Sequence, residues 1–554
     1  MTEHFTAPVT PATTERVVVV GAGPAGCTSA LFLADRGVPV TLLERYVAPH
    51  PLPRAVHLDD EVTRILHRLG LSEQFLARSR PASGLRLLDG RHQVMAEFRR
   101  EQTIGRHGFP QANMFDQPEL EELLLSRVEQ HPLIDLRRGL DVVGIEGFDD
   151  PFTAEPVRVV ARPVDGRAEQ TFTGRVVLGA DGANSTVRDL VGVTMQDLGF
   201  TERWLVVDVR ADRDLNTWDG VEQVCDPARA ATFMQVIGNR YRWEFQLQDG
   251  EDEADLIAPG ALGQLLQPWT GRSDLDGLEI VRSATYTFRA RIASSFRVGR
   301  VFLLGDAAHL TPPFIGQGLG AGLRDANNLA WKVADVLTGR ADPSLLDSYD
   351  AERRPHATAL VKRAVTIGWA MTGGQDWAAA FRRVFLAAAC RSTKFRAAVA
   401  SPSTPPLKTG ALQQTGRFTR QPRGLRVGGL IGNALVTTDG SGSARLDDVL
   451  GQRTAVLTAR RPEPGLVDLS RRNGFLLVRV VPAGRRDTVG DGWVQAEVAD
   501  PEASGLAGLL ADPALAVVVR PDRVVAAVAR RPHLPALPWS ARTVPAPTPS
   551  QNAL

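Results

Sequence analysis

Cysteine is scarce: the 554 residues contain only Cys27, Cys225 and Cys390. They lie too far apart in the chain for a CxxC pair, a zinc knuckle or a disulfide framework. No metal site is expected, and the low count suits a reducing compartment, so a cytoplasmic location is expected. Lysine is scarcer than its charge class: Lys332, Lys362, Lys394 and Lys408 are the only four among 64 basic residues. Against 63 acidic residues the formal net charge is +1. That gives no excess to neutralise a phosphate backbone, so nucleic acid is not an expected partner. No run of about 18 apolar residues occurs, which argues against a spanning helix. Residues 1–15 are polar and lack the apolar core of a secretory signal, so neither membrane insertion nor secretion is expected. What remains is ordinary globular material, 43% hydrophobic and 23% charged. At roughly 150 residues per domain the length suggests three or four domain-sized units.

The first organised segment is Arg16 to Glu44. Val17-Val18-Val19-Val20 is a β-branched run suited to a strand buried on both faces of a parallel sheet. It enters Gly21-Ala22-Gly23-Pro24-Ala25-Gly26, then a helical stretch stopped by Gly37, then the strand Val40-Thr41-Leu42-Leu43 ending at Glu44. This is a βαβ unit of about 30 residues with a dinucleotide-binding turn. Gly21 permits the tight turn, Gly23 lets a pyrophosphate approach the backbone, and Gly26 lets helix and strand pack closely. Glu44 is placed to accept hydrogen bonds from ribose hydroxyls.

The texture changes between about Glu202 and Arg291. Trp204 to Arg210, Ala231 to Ile237, Arg240 to Gln248 and Thr285 to Ile292 read as strands, with Gly238-Asn239 as a two-residue loop. Tyr241, Trp243, Phe245 and Leu247 alternate with Arg242, Glu244, Gln246 and Gln248, as in a half-buried antiparallel strand. Proline-rich stretches at 401–406 and 421–424 suggest a linker. Beyond them, Ala455 to Leu457, Phe475 to Val481, Ala516 to Arg520 and Val524 to Val528 suggest a third, small α/β unit, followed by a Pro-, Ser- and Thr-rich tail at 538–554.

Two further motifs carry chemistry. One is Val176 to Arg188, containing Gly179-Ala180-Asp181-Gly182. The other is Arg300 to His309, containing Gly305-Asp306-Ala307-Ala308-His309. Each is an apolar strand ending in a Gly/Asp turn that opens a helix, offering backbone N–H groups and one carboxylate to ribose or ribityl hydroxyls and a phosphate. The second continues through Pro313, Gly316-Gln317-Gly318 and Gly320 to Arg324-Asp325-Ala326-Asn327-Asn328-Leu329-Ala330-Trp331-Lys332. Glycine at that density permits close approach to a flat ring.

Together, GxGxxG, GADGxxSxVR and GDAAH…PPFxGQG…RDAxNLAWK resemble the FAD-dependent aromatic hydroxylases of the class A flavoprotein monooxygenases, over about residues 16–400. The segments Pro53 to Glu61 and Met114 to Glu121, and the length, look most like the 3-(3-hydroxyphenyl)propionate hydroxylases. The C-terminal unit resembles the thioredoxin-like domain of some members, without a cysteine for dithiol chemistry. The resemblance implies an α/β fold: a discontinuous Rossmann-like FAD-binding domain, an inserted antiparallel β-sheet substrate domain, and a C-terminal thioredoxin-like domain. The expected division is a tail at 1–15, an FAD domain at about 16–80, 110–195 and 295–400, a substrate domain at about 81–109 and 196–294, a linker at 401–425, the third domain at 426–537, and a tail at 538–554.

By the same resemblance, Gly21, Ala22, Gly23, Pro24, Ala25, Gly26, Glu44 and Arg45 hold the ADP half of FAD, and Arg54 reaches its phosphates. Gln117 lies near the ribityl chain. Gly305 and Asp306 bind the ribityl or pyrophosphate region, and Pro313, Gly316, Gln317 and Gly318 lie along the isoalloxazine. Asp181 serves both flavin and nicotinamide. Gly320 stands where many relatives have Asn. His57, His309 and Tyr286 are the candidates for catalytic groups, although helix-start packing is the simpler role for His309. The implied reaction consumes NADH or NADPH and O2 and adds one hydroxyl ortho to that of a phenolic acid, 3-(3-hydroxyphenyl)propionate or 3-hydroxycinnamate, giving the 2,3-dihydroxy product. A homodimer is compatible with all of this. Two alternatives stay open: a tailoring hydroxylase of a polyketide or other large aromatic, and a non-catalytic flavin-binding redox sensor. A flavin halogenase would carry WxWxIP, and no two tryptophans here stand two residues apart.

Overall fold

The structure is a computed structural model. It describes residues 15–49, 54–100, 104–152, 155–372, 404–407, 412, 414–415, 422, 424–438, 442–485 and 491–530. The expected tails (Glu15 apart), residues 373–400 with Cys390, most of the 401–425 linker, and Pro53 lie outside the described residues.

Val17–Val20 is the hub of the first sheet. It pairs in parallel with Val176–Gly179 on one side and Val40–Glu44 on the other. The sheet has six strands, with Arg297–Val298, Val301–Leu303 and Ile134–Arg138 completing it outward. All four valines are buried, which explains why the strand reads as a continuous apolar run rather than an alternation. Strands drawn from residues 17 to 303 meet here, so this Rossmann-like domain is discontinuous in sequence. Helix Pro24–Ala34 packs on Gly318–Leu337. Their approach is close because Gly305 and Gly322 face the Ala25 methyl group, 3.3–3.4 Å from where their own Cβ atoms would stand.

A second sheet of eight strands is mostly antiparallel. Its order is His309–Leu310, Leu278–Ala293, Met195–Ala211, Arg240–Gln246, Ala231–Gln235, Val221–Val224, Gly84–Leu88 and Val94–Arg99. The last two come from a distant part of the chain, and Gly84–Leu88 joins Val221–Val224 in parallel. The turn between Gln235 and Arg240 is longer than the two-residue loop expected, and only Gly238 (φ +51°) has a positive φ there. Strand Arg240–Gln246 also departs from expectation. It is not half-buried: residues 241 to 245 are all buried. Leu205, Val207, Phe233, Tyr241, Trp243 and Phe245 form one face, packed on Leu262 and Leu266 of helix Pro259–Thr270. The opposite face carries Arg242 and Glu244.

The C-terminal unit is a mixed sheet of eight strands centred on Ala455–Thr458, parallel to Leu476–Pro482 and antiparallel to Leu515–Val519. It docks on the first domain through buried charge. Asp447 accepts two hydrogen bonds from Arg64, at 2.6 and 2.7 Å, and a third from Arg523 at 2.9 Å. Arg520 forks onto Glu352, which also takes Lys332 at 2.8 Å. These ions are at most 3% exposed. The docking face is therefore electrostatically specified, and breaking one buried pair typically costs about 3–5 kcal/mol. Among the described residues no helix is long and apolar enough to cross a membrane, and no group of His, Cys, Asp and Glu could hold a metal ion.

Candidate active site

A cavity of about 860 Å³ runs from the first glycine turn to the second sheet. This is near the upper end of the roughly 300–1,000 Å³ usual for small-molecule sites. At its outer end, Gly21 (φ +99°) turns the chain where a Cβ would stand 2.4 Å from the Ala180 carbonyl oxygen. Gly26 packs so tightly that its Cβ would lie 1.8 Å from the Gly21 carbonyl oxygen, whereas nothing stands within 4 Å of the Gly23 Cβ position. Two glycines thus close the turn and the third leaves its backbone approachable, a cradle suited to a pyrophosphate at the N-terminus of helix Pro24–Ala34. Gly26 itself faces the turn rather than the cavity; Gly21, Ala22, Gly23, Pro24 and Ala25 line it.

Glu44 lines the same end. Its carboxylate accepts from Ala22 N–H at 2.7 Å and Tyr46 N–H at 2.8 Å. Arg45 lines the cavity beside it, its guanidinium 4.8 Å from the centre of the Tyr46 ring. Arg54 and Gln117 stand further in. Gln117 opens helix Gln117–Glu129, and its Oε1 accepts from the backbone of Arg54 (3.1 Å) and Ala55 (2.6 Å). It therefore holds the Arg54 loop as well as lining the cavity.

Two acids face the middle of the cavity. Asp181 accepts from Val187 N–H at 2.9 Å and from the Ser185 hydroxyl, so it stabilises the start of the short helix Thr186–Leu190. Burial pushes its pKa up. Asp306 follows Gly305 (φ +58°) and points into the cavity, and burial raises its pKa too. Deeper in, Pro313, Gly316 and Gly318 line the wall. Gly316 (φ +59°) passes so close to His57 that a Cβ would meet Nδ1 at 2.9 Å.

Three expected site residues lie behind this wall. Gln317 is buried against helix Asp60–Arg68, donating to Asp59 at 2.9 Å and accepting from Arg324 at 2.8 Å. Gly320 faces Val62 and Arg324. His309 is 1% exposed, with Nε2 2.8 Å from Asp325, which also accepts from Gly305 N–H (3.0 Å) and Arg353 (2.7 Å). His309 thus braces the Gly305-Asp306 turn from the far side and does not line the cavity, so it is not in reach of a substrate there. His57 does line it, with Nε2 3.0 Å from Arg100. Burial, then the Arg100 charge, pushes its pKa down to about 4, leaving a neutral ring at neutral pH.

The inner end is the polar face of the second sheet. Strand register places Asp208 beside Arg242 and Val206 beside Glu244, with Glu244 beside Thr232 and Thr232 beside Gln223. Val206, Gln223, Thr232, Met234, Arg242, Glu244, Arg282 and Tyr286 line the cavity. Arg242 forks onto Asp208 at 2.7 and 3.0 Å, and Arg282 lies 3.7 Å from the same carboxylate and donates to the Tyr286 hydroxyl. Of the three catalytic candidates, the structure brings His57 and Tyr286 to the cavity. Arg242, Glu244, Arg282, Gln223 and Arg100 were not anticipated. The alternation at 240–246 held the signal for two of them, but polar positions on a half-buried strand read as solvent-facing.

The cradle, the two acids and the glycine-lined wall fit a flavin dinucleotide. Comparison with known proteins agrees. A family model for an FAD binding domain matches residues 14–364, and one for the HcaD C-terminal domain matches 428–542. A 3-(3-hydroxy-phenyl)propionate/3-hydroxycinnamic acid hydroxylase of Burkholderia cenocepacia is 33% identical over 92% of this chain and 93% of its own. A protein named "Probable NADH-specific resorcinol 4-hydroxylase" from Rhodococcus jostii is 36% identical over 64% of this chain and 65% of its own. Among solved structures, aklavinone-11 hydroxylase with FAD and aklavinone has the same fold, with a TM-score of 0.74, 24% identity and 95% and 97% of the two chains covered. The p-nitrophenol 4-monooxygenase of Pseudomonas putida gives a TM-score of 0.63 at 25% identity, over 70% of this chain and 97% of its own. By its FAD binding domain and its full-length relatives, this chain belongs to the FAD-dependent aromatic hydroxylases, a family of flavoprotein monooxygenases.

Proposed function

We propose that the protein ortho-hydroxylates a phenolic aromatic acid, 3-(3-hydroxyphenyl)propionate or 3-hydroxycinnamate, using NADH and O2, and that it works in the cytoplasm as a step of aromatic catabolism. The observation that carries this is one cavity joining a phosphate cradle to a sheet face that lines it with two arginines, a glutamate and a tyrosine. Bound FAD supplies hydride acceptance and the activation of O2. The chain supplies the rest. Gly21, Gly23, Glu44, Arg45 and Arg54 hold the dinucleotide, and Asp181 and Asp306 meet its hydroxyls. Loop 313–318 backs the ring, with Gln317 and Gly320 anchoring that loop from behind. Arg242 and Arg282 put positive charge on the cavity wall, balanced by Asp208 and Glu244, and the enclosing apolar residues Val206, Met234 and Phe314 limit water near the reacting atoms. In this reading the flavin domain takes about 16–80, 110–195 and 295–400, and the sheet between them receives the substrate.

The test is a panel of hydroxylated phenylpropionates, cinnamates, benzoates, simple phenols including resorcinol, and one polycyclic phenol. Catechol product and NADH consumption are scored together. The proposal expects tight coupling with a 3-hydroxyphenyl acid. If no phenolic acid is hydroxylated while the polycyclic phenol is, the substrate reading fails. A protein that binds no flavin refutes the function altogether.

A further inference from the structure

Among the described residues, the cavity face of the second sheet carries two carboxylates in different circumstances. Asp208 is ion-paired: Arg242 holds it through two hydrogen bonds and Arg282 stands 3.7 Å away. Glu244, two strands from Tyr286 on the same face, has Arg242 at 3.9 Å as its nearest cation, beyond hydrogen-bond distance, and its side chain lines the cavity while only 12% exposed. Enclosed carboxylates with unfilled acceptor positions are costly unless a donor arrives to fill them. A substrate hydroxyl is such a donor.

We propose that Glu244 is the group that takes the proton from the phenol hydroxyl of the substrate; this rests on the reading of that substrate as a phenol. The phenolic O–H bond breaks, its electron pair stays on oxygen and is shared into the ring, and the proton bonds to a Glu244 carboxylate oxygen. One atom of O2 is transferred to the ring and the other leaves as water, with two electrons from NADH and a net uptake of one proton from solvent. The ring carbon that receives oxygen loses its hydrogen as a proton to solvent, Glu244 returns its own proton to the phenolic oxygen, and the carboxylate is regenerated. The cavity's net charge does not change when the proton moves. The guanidiniums of Arg242 and Arg282, which face the carboxylate, then face the phenolate instead.

The surroundings favour Glu244 over the other candidates. Burial raises its pKa, Arg242 and Arg282 oppose that, and Asp208 adds to it, so the group is shifted up from its ordinary value, in the direction of a phenol. His57, pushed down to about 4 by burial and Arg100, is a weak base. Tyr286 has its hydroxyl oxygen engaged by Arg282. Of the remaining charged groups on the cavity wall, Arg289 shares strand Leu278–Ala293 with Arg282 and Tyr286, while Arg54, Arg100, Asp181 and Asp306 lie outside the strands of this sheet.

The experiment compares FAD-loaded wild type, Glu244→Gln, Glu244→Asp and Tyr286→Phe. Each is given 3-(3-hydroxyphenyl)propionate and a ring-fluorinated analogue with a more acidic phenol, from neutral pH up to the phenol pKa of about 10. Catechol, NADH loss and H2O2 are measured. Glu244→Gln is expected to melt and bind FAD as wild type does and to lose roughly 10²-fold in hydroxylation at neutral pH. Its NADH oxidation should run to H2O2. Hydroxylation should return as the pH rises or with the fluorinated phenol, because an ionised substrate needs no base, and Glu244→Asp should recover part of it. The proposal is overturned if Glu244→Gln stays within about threefold of wild type, if its loss is not relieved by the acidic phenol, or if Tyr286→Phe shows this pattern instead. Wild type inactive on every phenol would overturn the substrate reading and this proposal with it.

Discussion

Replacing Asp325 by Asn should loosen the flavin site without altering its shape. Asp325 is fully buried in helix Gly318–Leu337. One oxygen accepts from Arg353 at 2.7 Å; the other accepts from Gly305 N–H at 3.0 Å and lies 2.8 Å from His309. Asn is isosteric, but its amide nitrogen must face a donor, and Arg353, 3% exposed, becomes a buried cation without its counter-ion. Loss of one partner of a buried pair costs about 3–5 kcal/mol, against a total stability of about 5–15 kcal/mol. At about 2–4 °C per kcal/mol the melting temperature should fall by roughly 10 °C. The pH dependence sharpens the test. Burial alone would raise the Asp325 pKa, but Arg353 and His309 outweigh it and hold the group at about 2 rather than its usual 3.8. A depressed pKa contributes stability that is complete above the usual value and lost as pH falls through the folded one. The gap between wild type and variant should therefore be full at neutral pH and shrink below about pH 4, narrowing by about 2 kcal/mol by about pH 2, the worth of the fall in pKa from 3.8 to about 2. Melting of the holoprotein, followed by circular dichroism and flavin fluorescence, reads both. A variant melting within about 2 °C of wild type at neutral pH, or a gap that ignores pH, would refute the brace.

Gly26→Ala should yield colourless protein, because its Cβ would overlap the Gly21 carbonyl. Flavin absorbance per mole of chain measures this. Gly23→Ala has open space at its Cβ position, so its apoprotein should melt as wild type does while FAD affinity falls, as read by titration. Asp447→Asn leaves Arg64 and Arg523 without their shared carboxylate and should destabilise the docking of the C-terminal unit by about 3–5 kcal/mol, visible in limited proteolysis and melting. Asp59 and Glu352, like Asp325, are held at about 2 by neighbouring cations despite burial. Acid unfolding should accordingly set in below about pH 4.5, and a protein unchanged down to pH 2 would contradict these networks.

The parts of the site that depend on backbone shape were legible in the sequence. A four-valine strand, three glycines at fixed offsets and an acid at the end of the next strand each have a local reason to be where they are, and the structure shows the turn they build. Side chains whose meaning comes from a distant partner were not legible. Arg520 and Glu352 are 168 residues apart and Arg64 and Asp447 are 383 apart; nothing local distinguishes such arginines from the rest. Glu244 and Arg242 were visible as an alternation, but alternation says only that two faces differ. Here neither face meets bulk water, one packing on helix Pro259–Thr270 and the other facing the cavity. For His309 the sequence favoured packing over catalysis, and the chain does turn it to the far side of the Gly305-Asp306 turn that it follows.

The most direct test is a single turnover balance. FAD-loaded protein is given NADH, 18O2 and 3-(3-hydroxyphenyl)propionate, and the product is analysed by mass. One labelled oxygen per catechol, with one NADH consumed for each, is the expected result. A bound flavin that NADH reduces in the presence of each phenol tried, with H2O2 as the only product and no labelled catechol, would contradict the assignment as an aromatic hydroxylase.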